Sequence, residues 1–486
     1  MDNLINNMRQ NQWRLFTLFI ASLWISACQP AADQSELKSN PNVPHAAKTA
    51  LASTTVEQPF SQEVYIWQRQ WRSANQTALV QSQNAFQGLR ILALQAHPKP
   101  NGADIWFEVA VNHVWLQADP RPKILVVRLD GQFTHLNDEE VIHKISQVLA
   151  NWQAKGTHIV GVEIDHDSAS SKLPAYREFL KKLKAHLPTQ LKLSITALPD
   201  WLSSTDFPML LATIDELVLQ IHSVSDPRHG LFNAVKGWQW VEQLSRISTV
   251  PYLIALPAYG SAVISTASGY QVESETPLRH QRQSANAVEE LMADPKILQT
   301  FVQKLQNQTD TKLKGIIWFR LPLEGDKRVW PLNTLIAVAQ QGELAAQIEL
   351  LISSYNNATN QAQLTAENTV KSHEMPQSTL FQLSLINRGN IAGEPPTILS
   401  LAGHACSGYD AQNSYRVIQT NGLLTWQLRA ETTAALTSIE AAPRANILSV
   451  PQLTRETQKH MLNPGGQKVI GWARCESLHL QGIYAP

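Results

Sequence analysis

HIVGVEIDHDSASSKLPAYREFLKKLKAHLPTQLKLSITAL, residues 158–198, contains the repeating unit that decides the fold. Residues 158–165 form a short, mostly apolar run that predicts a buried strand. Pro174 opens a stretch, residues 174–186, whose apolar side chains recur on one helical face, and proline is favoured at the first helical position. A second apolar run follows at 192–198. Because parallel strands are usually joined by a crossover helix, the stretch predicts two parallel strands with a helix between them.

The same unit recurs on both sides of this stretch. Strands are predicted at 64–71, 89–96, 124–130, 158–165, 192–198, 216–223, 251–257 and 314–321, and helices at 138–154, 174–186, 234–246, 285–307 and 331–343. Eight alternating units over about 280 residues predict a TIM-type (β/α)8 barrel at residues 61–345. A doubly wound open sheet is the competing fold, but the first strand lacks the glycine-rich phosphate fingerprint that accompanies it. Residues 98–122 fit either a strand pair or a helix.

The helical pattern stops near residue 345. Short apolar runs at 379–388, 396–402, 414–419, 423–429, 446–450 and 468–473 are separated by Gly, Asn and Pro. They predict a small all-β, sandwich-like domain at residues 346–486. Cys406 and Cys475 are either a disulfide pair or two buried thiols, and an exported chain favours the disulfide.

The first 28 residues have the order of parts found in an export signal. Arg9 and Arg14 precede an apolar run at 15–24, which is too short to span a bilayer as a mature helix. The run ends in Ile-Ser-Ala-Cys28, which resembles the bacterial lipobox and implies acylation of Cys28. An ordinary signal peptide, or an apolar helix with a chance cysteine, is the alternative. Because Gln29 stands where Asp would favour retention in the inner membrane, the resemblance implies the outer membrane of a Gram-negative bacterium.

Composition narrows the classes of function. Residues 29–60 are small, polar and dotted with proline, and they predict a flexible tether between lipid and barrel. The 40 Lys and Arg residues balance the 40 Asp and Glu residues, so no net field attracts nucleic acid. His97, His166 and His222 lack the spacing of a metal motif and are interpreted as hydrogen-bonding pocket residues. No metal or cofactor is therefore predicted.

Polar and aromatic side chains concentrate at the carboxyl ends of the predicted strands, where barrels of this type place their sites. The strand ends carry Trp67, Arg69, Trp71, Gln95, His97, Arg128, Asp130, Gln132, Glu163, Asp165, His166, Asp167, Thr196, Asp200, Trp201, Gln220, His222, Ser223, Tyr259, Trp318, Arg320 and Glu324. Indole rings that pack on sugar faces and carboxylates that transfer protons typify a carbohydrate site. The predicted ligand contacts are Trp67, Arg128, Asp130, Trp201, His222, Tyr259 and Trp318.

The fourth predicted strand contains the sharpest motif. In Gly161-Val-Glu-Ile-Asp-His-Asp167, residues Glu163, Asp165 and Asp167 share one strand face and point toward the barrel interior and its mouth. Three like charges persist there only if they share protons, bind a cation or pair with basic groups such as Arg128 or Arg320. Such coupling can raise the pKa of one carboxyl enough for general acid catalysis.

This motif resembles the acidic strand-4 motif of family 18 glycoside hydrolases, D-G-x-D-x-D-x-E. Gly161 matches the glycine, Glu163 and Asp165 match the aspartates, and Asp167 matches the acid glutamate; Trp318 resembles the tryptophan at the floor of that family's pocket. Two departures put that family's substrate-assisted mechanism in doubt. Asp167 is one methylene shorter than glutamate, and the family's Met-x-Tyr-Asp is replaced by the residues at 220–223.

A longer resemblance covers roughly residues 60–345. The blocks VVRLDG (126–131), GVEIDHD (161–167), YREFLKKLKAHLP (176–188) and LSITALPDWL (193–202) occur in an order similar to that of the bacterial domain of unknown function 3142. That resemblance implies a barrel related to glycoside hydrolases, with no established activity.

Two hypotheses follow for a carbohydrate-facing protein held at a membrane. In the first it is a glycoside hydrolase-like enzyme, with Asp167 as general acid and with Asp165 and Glu163 as electrostatic partners. In the second it is a lipoprotein that binds carbohydrate without turnover. The short acid and the missing Tyr-Asp pair favour the second hypothesis.

Overall fold

The computed structural model describes residues 60–99, 104–133, 135–222, 230–266, 269–273, 288–326, 328–355, 363–364, 378–429 and 461–484. The predicted signal peptide, the lipidation site at Cys28, the tether up to residue 59 and the strand predicted at 446–450 lie outside these residues. None of the helices in the described residues is long and apolar enough to cross a membrane.

Eight parallel strands close into a barrel. Up to residue 319 the strands are β1 (Ser61–Ile66), β2 (Gly88–His97), β3 (Ile105–Glu108), β4 (Lys123–Leu129), β5 (Gly161–His166), β6 (Lys192–Ala197), β7 (Glu216–Gln220), β8 (Tyr252–Pro257), β9 (Gly260–Thr266), β10 (Gly269–Glu273), β11 (Val288–Met292) and β12 (Leu313–Phe319). The parallel pairs run β1-β2-β4-β5-β6-β7-β8-β12, and β12 pairs back with β1. Each of the eight predicted strands overlaps one of these eight, which confirms the (β/α)8 barrel.

The helices pack around the outside of the barrel. They are α1 (Ser73–Gln81), α2 (His113–Ala118), α3 (Asp138–Ala154), α4 (Leu173–His186), α5 (Phe207–Leu211), α6 (Ala234–Ile247), α7 (Pro295–Gln306) and α8 (Leu332–Ala339). Their apolar faces and the outward faces of the strands share one core. The Asn137 side chain accepts a hydrogen bond from the backbone N–H of Glu140 and so caps α3 at its predicted start.

Two regions differ from the sequence-based expectation. The helix predicted at 285–307 begins only at Pro295, behind an Asp294 cap, and residues 288–292 instead form β11, which pairs with β9 in a small antiparallel sheet. The stretch left open at 98–122 contains both elements: β3, antiparallel to β2, and then α2.

The C-terminal part is β-rich, as predicted. Its strands are β13 (Ile348–Tyr355), β14 (Gln363–Leu364), β15 (Thr379–Asn387), β16 (Ile398–His404), β17 (Gly408–Ala411), β18 (Tyr415–Thr420), β19 (Leu423–Leu428), β20 (Gln467–Cys475) and β21 (Ser477–Tyr484). They form two antiparallel sheets, β14-β13-β15-β20-β17 and β18-β19-β16-β21. Apolar side chains from both sheets share one core, and Cys406 is joined to Cys475 by a disulfide.

Candidate active site at the carboxyl ends of the barrel strands

A cavity of about 380 Å³ opens where the carboxyl ends of the barrel strands meet. Seven of the predicted site residues line it: Trp67, Arg128, Asp130, Asp165, Asp167, His222 and Tyr259. Further strand-end residues named from the sequence also line it, namely Arg69, Gln95, His97, Thr196, Gln220 and Arg320. Sequence reasoning missed Tyr65 and Phe319, whose rings form part of the wall.

One guanidinium joins the two acids nearest the cavity mouth. Nη1 of Arg128 donates to Asp165 Oδ2 at 2.6 Å, and Nη2 donates to Asp167 Oδ2 at 2.6 Å. The other oxygen of Asp165 accepts hydrogen bonds from Thr196 Oγ1 at 2.8 Å and from Gln220 Nε2 at 3.3 Å. Asp165 is therefore held at both oxygens by its neighbours on three other strands.

Asp167 is the more accessible of the two acids. Its side chain is 33% exposed, against 4% for Asp165. Burial raises the pKa of Asp167, the negative charge of Asp165 raises it further, and Arg128 only partly opposes them. A carboxyl with a raised pKa in contact with a cavity has the character required of a proton donor.

The backbone at Asp167 packs tightly against the end of β4. A Cβ at Gly131 would lie 2.3 Å from the Asp167 carbonyl oxygen, closer than any real contact. Glycine is therefore required at this position because of the close approach of two backbone segments. Gly131 therefore also sets the position of Asp167.

Glu163, predicted as an electrostatic partner of Asp167, lies deeper in the barrel and does not line the cavity. It is fully buried, accepts a hydrogen bond from Tyr65 Oη at 2.6 Å, and forms an ion pair with the buried Arg90. Arg90 also binds Glu63 on β1 and Glu216 on β7. Burial raises the pKa of Glu163, with Arg90 opposing. Glu163 therefore belongs to a buried charge network beneath the site.

Aromatic rings form one wall of the cavity. Phe319 lies 5.0 Å from Trp67 and 5.4 Å from Tyr259, centroid to centroid, with both pairs edge-on. Tyr65 and His222 contact the same phenyl ring at 5.7 and 5.8 Å. Such a wall presents apolar ring surface to a ligand, as expected of a sugar site.

Two predicted platforms are not part of this wall. Trp201 is fully buried outside the barrel, where its Nε1 donates to the Ser168 carbonyl. Trp318 is also fully buried, and its Nε1 donates to Gln62 Oε1. Because successive strand residues face opposite sides, Trp318 points to the helical layer while Phe319 points into the cavity. These two tryptophans, predicted as ligand contacts, therefore do not line this cavity.

His222 brings an unpaired polar atom to the cavity. Its Nδ1 lies 3.3 Å from Tyr259 Oη, whereas its Nε2 has no hydrogen-bond partner among the described residues. Burial lowers the pKa of His222 to about 4, partly opposed by the charge of Asp165. The imidazole is therefore neutral at pH 7 and retains an unsatisfied atom that a ligand could bind.

His97 and Asp130 form a pair at the rim. His97 Nδ1 lies 2.9 Å from Asp130 Oδ2, and the backbone N–H of Gln132 donates to Asp130 Oδ1 at 2.9 Å.

Arg320, expected as a partner for the acids of β5, instead donates to Asp326 at 2.8 Å. Within the described ranges no group of three or more His, Cys, Asp or Glu side chains is arranged to hold a metal ion.

Comparison with known proteins identifies one domain in the barrel. A family model described as "Domain of unknown function (DUF3142)" matches residues 119–324, which confirms the resemblance drawn from the sequence for that part of the chain. A second, "Domain of unknown function (DUF8456)", matches residues 370–438. No curated protein matches this chain.

Several solved structures are similar at low identity. The spore cortex-lytic enzyme SleL of Bacillus cereus is 14% identical over 59% of this chain and 76% of its own, with a TM-score of 0.41. SleL of Bacillus megaterium QM B1551 is 14% identical over 60% and 76%, with a TM-score of 0.43. The chitinase ChiA74 from Bacillus thuringiensis is 9% identical over 88% and 100%, with a TM-score of 0.42.

Proposed function

We propose that this barrel is a glycoside hydrolase-like enzyme, anchored to a membrane by lipid, that cleaves a polysaccharide with Asp167 as general acid. The observation that carries the proposal is the pairing of two acids with different environments in one cavity. Asp165 is fixed by three hydrogen-bonding neighbours, while Asp167 is accessible and has a raised pKa. Glycosidases assign different roles to two carboxyls by placing them in different environments.

Each part of the cavity suits one requirement of glycoside cleavage. The leaving oxygen must receive a proton, which Asp167 supplies. The sugar ring gains positive charge in the transition state, and the Asp165 side chain in the same cavity can stabilise it. The aromatic wall around Phe319 packs against the apolar face of a pyranose.

A second function, carbohydrate binding without turnover, is favoured by one specific contact. Arg128 binds Asp167 directly at 2.6 Å, and a guanidinium on a carboxylate stabilises its ionised, non-donating form. In this alternative the pair recognises hydroxyl groups and no bond is broken.

A reducing-end assay on chitin oligosaccharides, peptidoglycan and β-glucans, together with binding to the same glycans, separates these functions. For the enzyme we expect Asp167→Asn to lose at least about 100-fold in kcat while still binding the glycan. Glu178→Gln is the matched control, because Glu178 is a surface acid on α4 paired with Lys181. Turnover that survives in Asp167→Asn removes the acid assignment, binding without turnover by the wild type supports the alternative, and no binding rejects both.

The membrane anchor has its own test. Acylation of Cys28 predicts that labelled palmitate is incorporated into the wild type and not into Cys28→Ser. Two or three acyl chains at one residue give stable membrane attachment. Gln29→Asp is expected to move the protein from the outer-membrane to the inner-membrane fraction. Equal labelling of Cys28→Ser, or its retention on membranes, contradicts the lipobox interpretation.

A further inference from the structure

The His97–Asp130 pair has the geometry of an oriented base. His97 is the last residue of β2 and lines the cavity, and its Nδ1 lies 2.9 Å from Asp130 Oδ2. The side chain of His97 is 45% exposed, so its imidazole is open to water and to a ligand. The side chain of Asp130 is less exposed, at 26%.

Asp130 is itself held in place. Its second oxygen accepts the backbone N–H of Gln132, and its own N–H donates to the Ala96 carbonyl at 3.1 Å, next to His97. Burial would raise the pKa of Asp130, but the hydrogen bonds from Gln132 and His97 outweigh it and lower the pKa. An ionised carboxylate at Nδ1 favours the tautomer that carries its proton there. The lone pair of His97 is then at Nε2.

His97 and Asp167 line the same cavity from different strands. The strands that carry His97, Asp130 and Asp167 are neighbours in the barrel, in the order β2, β4, β5. Neighbouring strands lie about 4.8 Å apart, and β4 lies between β2 and β5, so His97 and Asp167 are not on adjacent strands. Acid and base are about 6.5–9.5 Å apart in inverting glycosidases and about 5–5.5 Å apart in retaining ones.

The nearer acid is not available as a nucleophile. Asp165, the neighbour of Asp167, accepts hydrogen bonds at both oxygens from Arg128, Thr196 and Gln220. Attack on the sugar would require it to abandon these bonds. Attack by a water that His97 activates requires no such rearrangement.

We propose that His97, oriented by Asp130, is the general base of the reaction and that the anomeric configuration is inverted. This inference rests on the proposed hydrolase function. His97 Nε2 takes a proton from water while the water oxygen bonds to the anomeric carbon. The glycosidic C–O bond breaks, and its electron pair goes to the leaving oxygen, which takes the proton from Asp167. The products are a hemiacetal and an alcohol, and solvent returns the proton from His97 to Asp167.

The test compares three variants on whichever of chitin oligosaccharides, peptidoglycan or β-glucan the wild type cleaves. We expect His97→Ala to lower kcat by about 100-fold or more with little change in KM, and Asp130→Asn to lower it by a smaller factor. Added imidazole is expected to restore turnover to His97→Ala and not to Asp167→Asn. His158→Ala, an exposed histidine away from the cavity, is the control.

Proton NMR of the first product identifies its anomer. Inversion together with imidazole rescue supports the assignment. Retention, or His97→Ala turnover within twofold of the wild type, overturns the His97 assignment while leaving hydrolysis by Asp167 in place. Absence of cleavage of all three glycans by the wild type overturns the proposed function, and this inference with it.

Discussion

We expect the folded protein to lose stability in mild acid because of His222. Its side chain is only 9% exposed, and burial lowers its pKa from the ordinary 6.5 to about 4. Between these two values the unfolded chain binds a proton that the folded chain does not, so stability is lost as the pH falls from about 6.5 to about 4. The displacement is about 2.5 pH units at about 1.36 kcal/mol each, which gives a limit of about 3 kcal/mol, of which about 2 kcal/mol is lost by pH 5.

The perturbation that isolates this effect is His222→Phe. A phenyl ring keeps the stacking on Phe319, now at 5.8 Å and 28°, but cannot titrate. Urea unfolding of the full chain between pH 7 and pH 5 should therefore show a stability change that is about 2 kcal/mol smaller in the variant than in the wild type. His479→Gln, an exposed histidine on β21, should follow the wild type.

NMR of histidine-labelled protein measures the same quantity directly. The carbon-bound imidazole protons of His222, assigned by their loss in His222→Phe, should stay in the neutral position down to about pH 5. A midpoint near 6.5 would refute the reasoning, because it would mean that the buried ring gains a compensating partner. An unchanged pH dependence of unfolding in His222→Phe would refute it independently.

Three further predictions concern the framework of the site and the C-terminal sheets. Arg90→Leu leaves three buried or half-buried carboxylates without their shared cation and should cost about 3–5 kcal/mol, measured by urea unfolding. Gly131→Ala should displace Asp167, since its Cβ would lie 2.3 Å from that backbone, and lower kcat at least tenfold in the reducing-end assay; Gly342→Ala, with 3.5 Å of clearance, should match the wild type. Reduction of the Cys406 disulfide, which closes a loop of 69 residues, should lower the unfolding free energy by about 4 kcal/mol and the melting temperature with it.

The barrel could be predicted from the sequence because its signals are local and repeated. All eight parallel strands correspond to apolar runs in the sequence, and α3 starts where Asn137 caps it. The insertion at β9–β11 could not be predicted in the same way. Residues 288–292 pair with β9, so a contact distant in sequence decides their conformation and overrides local helical preference. The Asp294-Pro295 pair was the local signal for the true helix start.

The site was predictable by strand end but not by side-chain direction. Trp318 and Phe319 are adjacent on β12. A register shift of one residue would turn Trp318 toward the cavity and Phe319 toward the helical layer. The pairing of β12 with β8 has an irregularity between Leu313 and Gly315. The sequence does not locate such an irregularity, and the prediction of Trp318 rests on its resemblance to the tryptophan at the floor of the family 18 pocket.

The strand β5 shows why the acids of one face have different roles. Glu163 and Asp167 are four residues apart and both point inward, yet they meet different partners. Arg90, placed by β2 at the closed end, holds Glu163 in a network without access to the cavity. Arg128 lies near the carboxyl end of β4, and its guanidinium binds both Asp165 and Asp167. Because the shared guanidinium only partly offsets burial and the charge of Asp165, Asp167 retains a raised pKa while it is open to a ligand. On this one strand, the depth of each acid and the arginine at that depth therefore decide whether the acid is held in a buried ion-pair network or is open to a ligand.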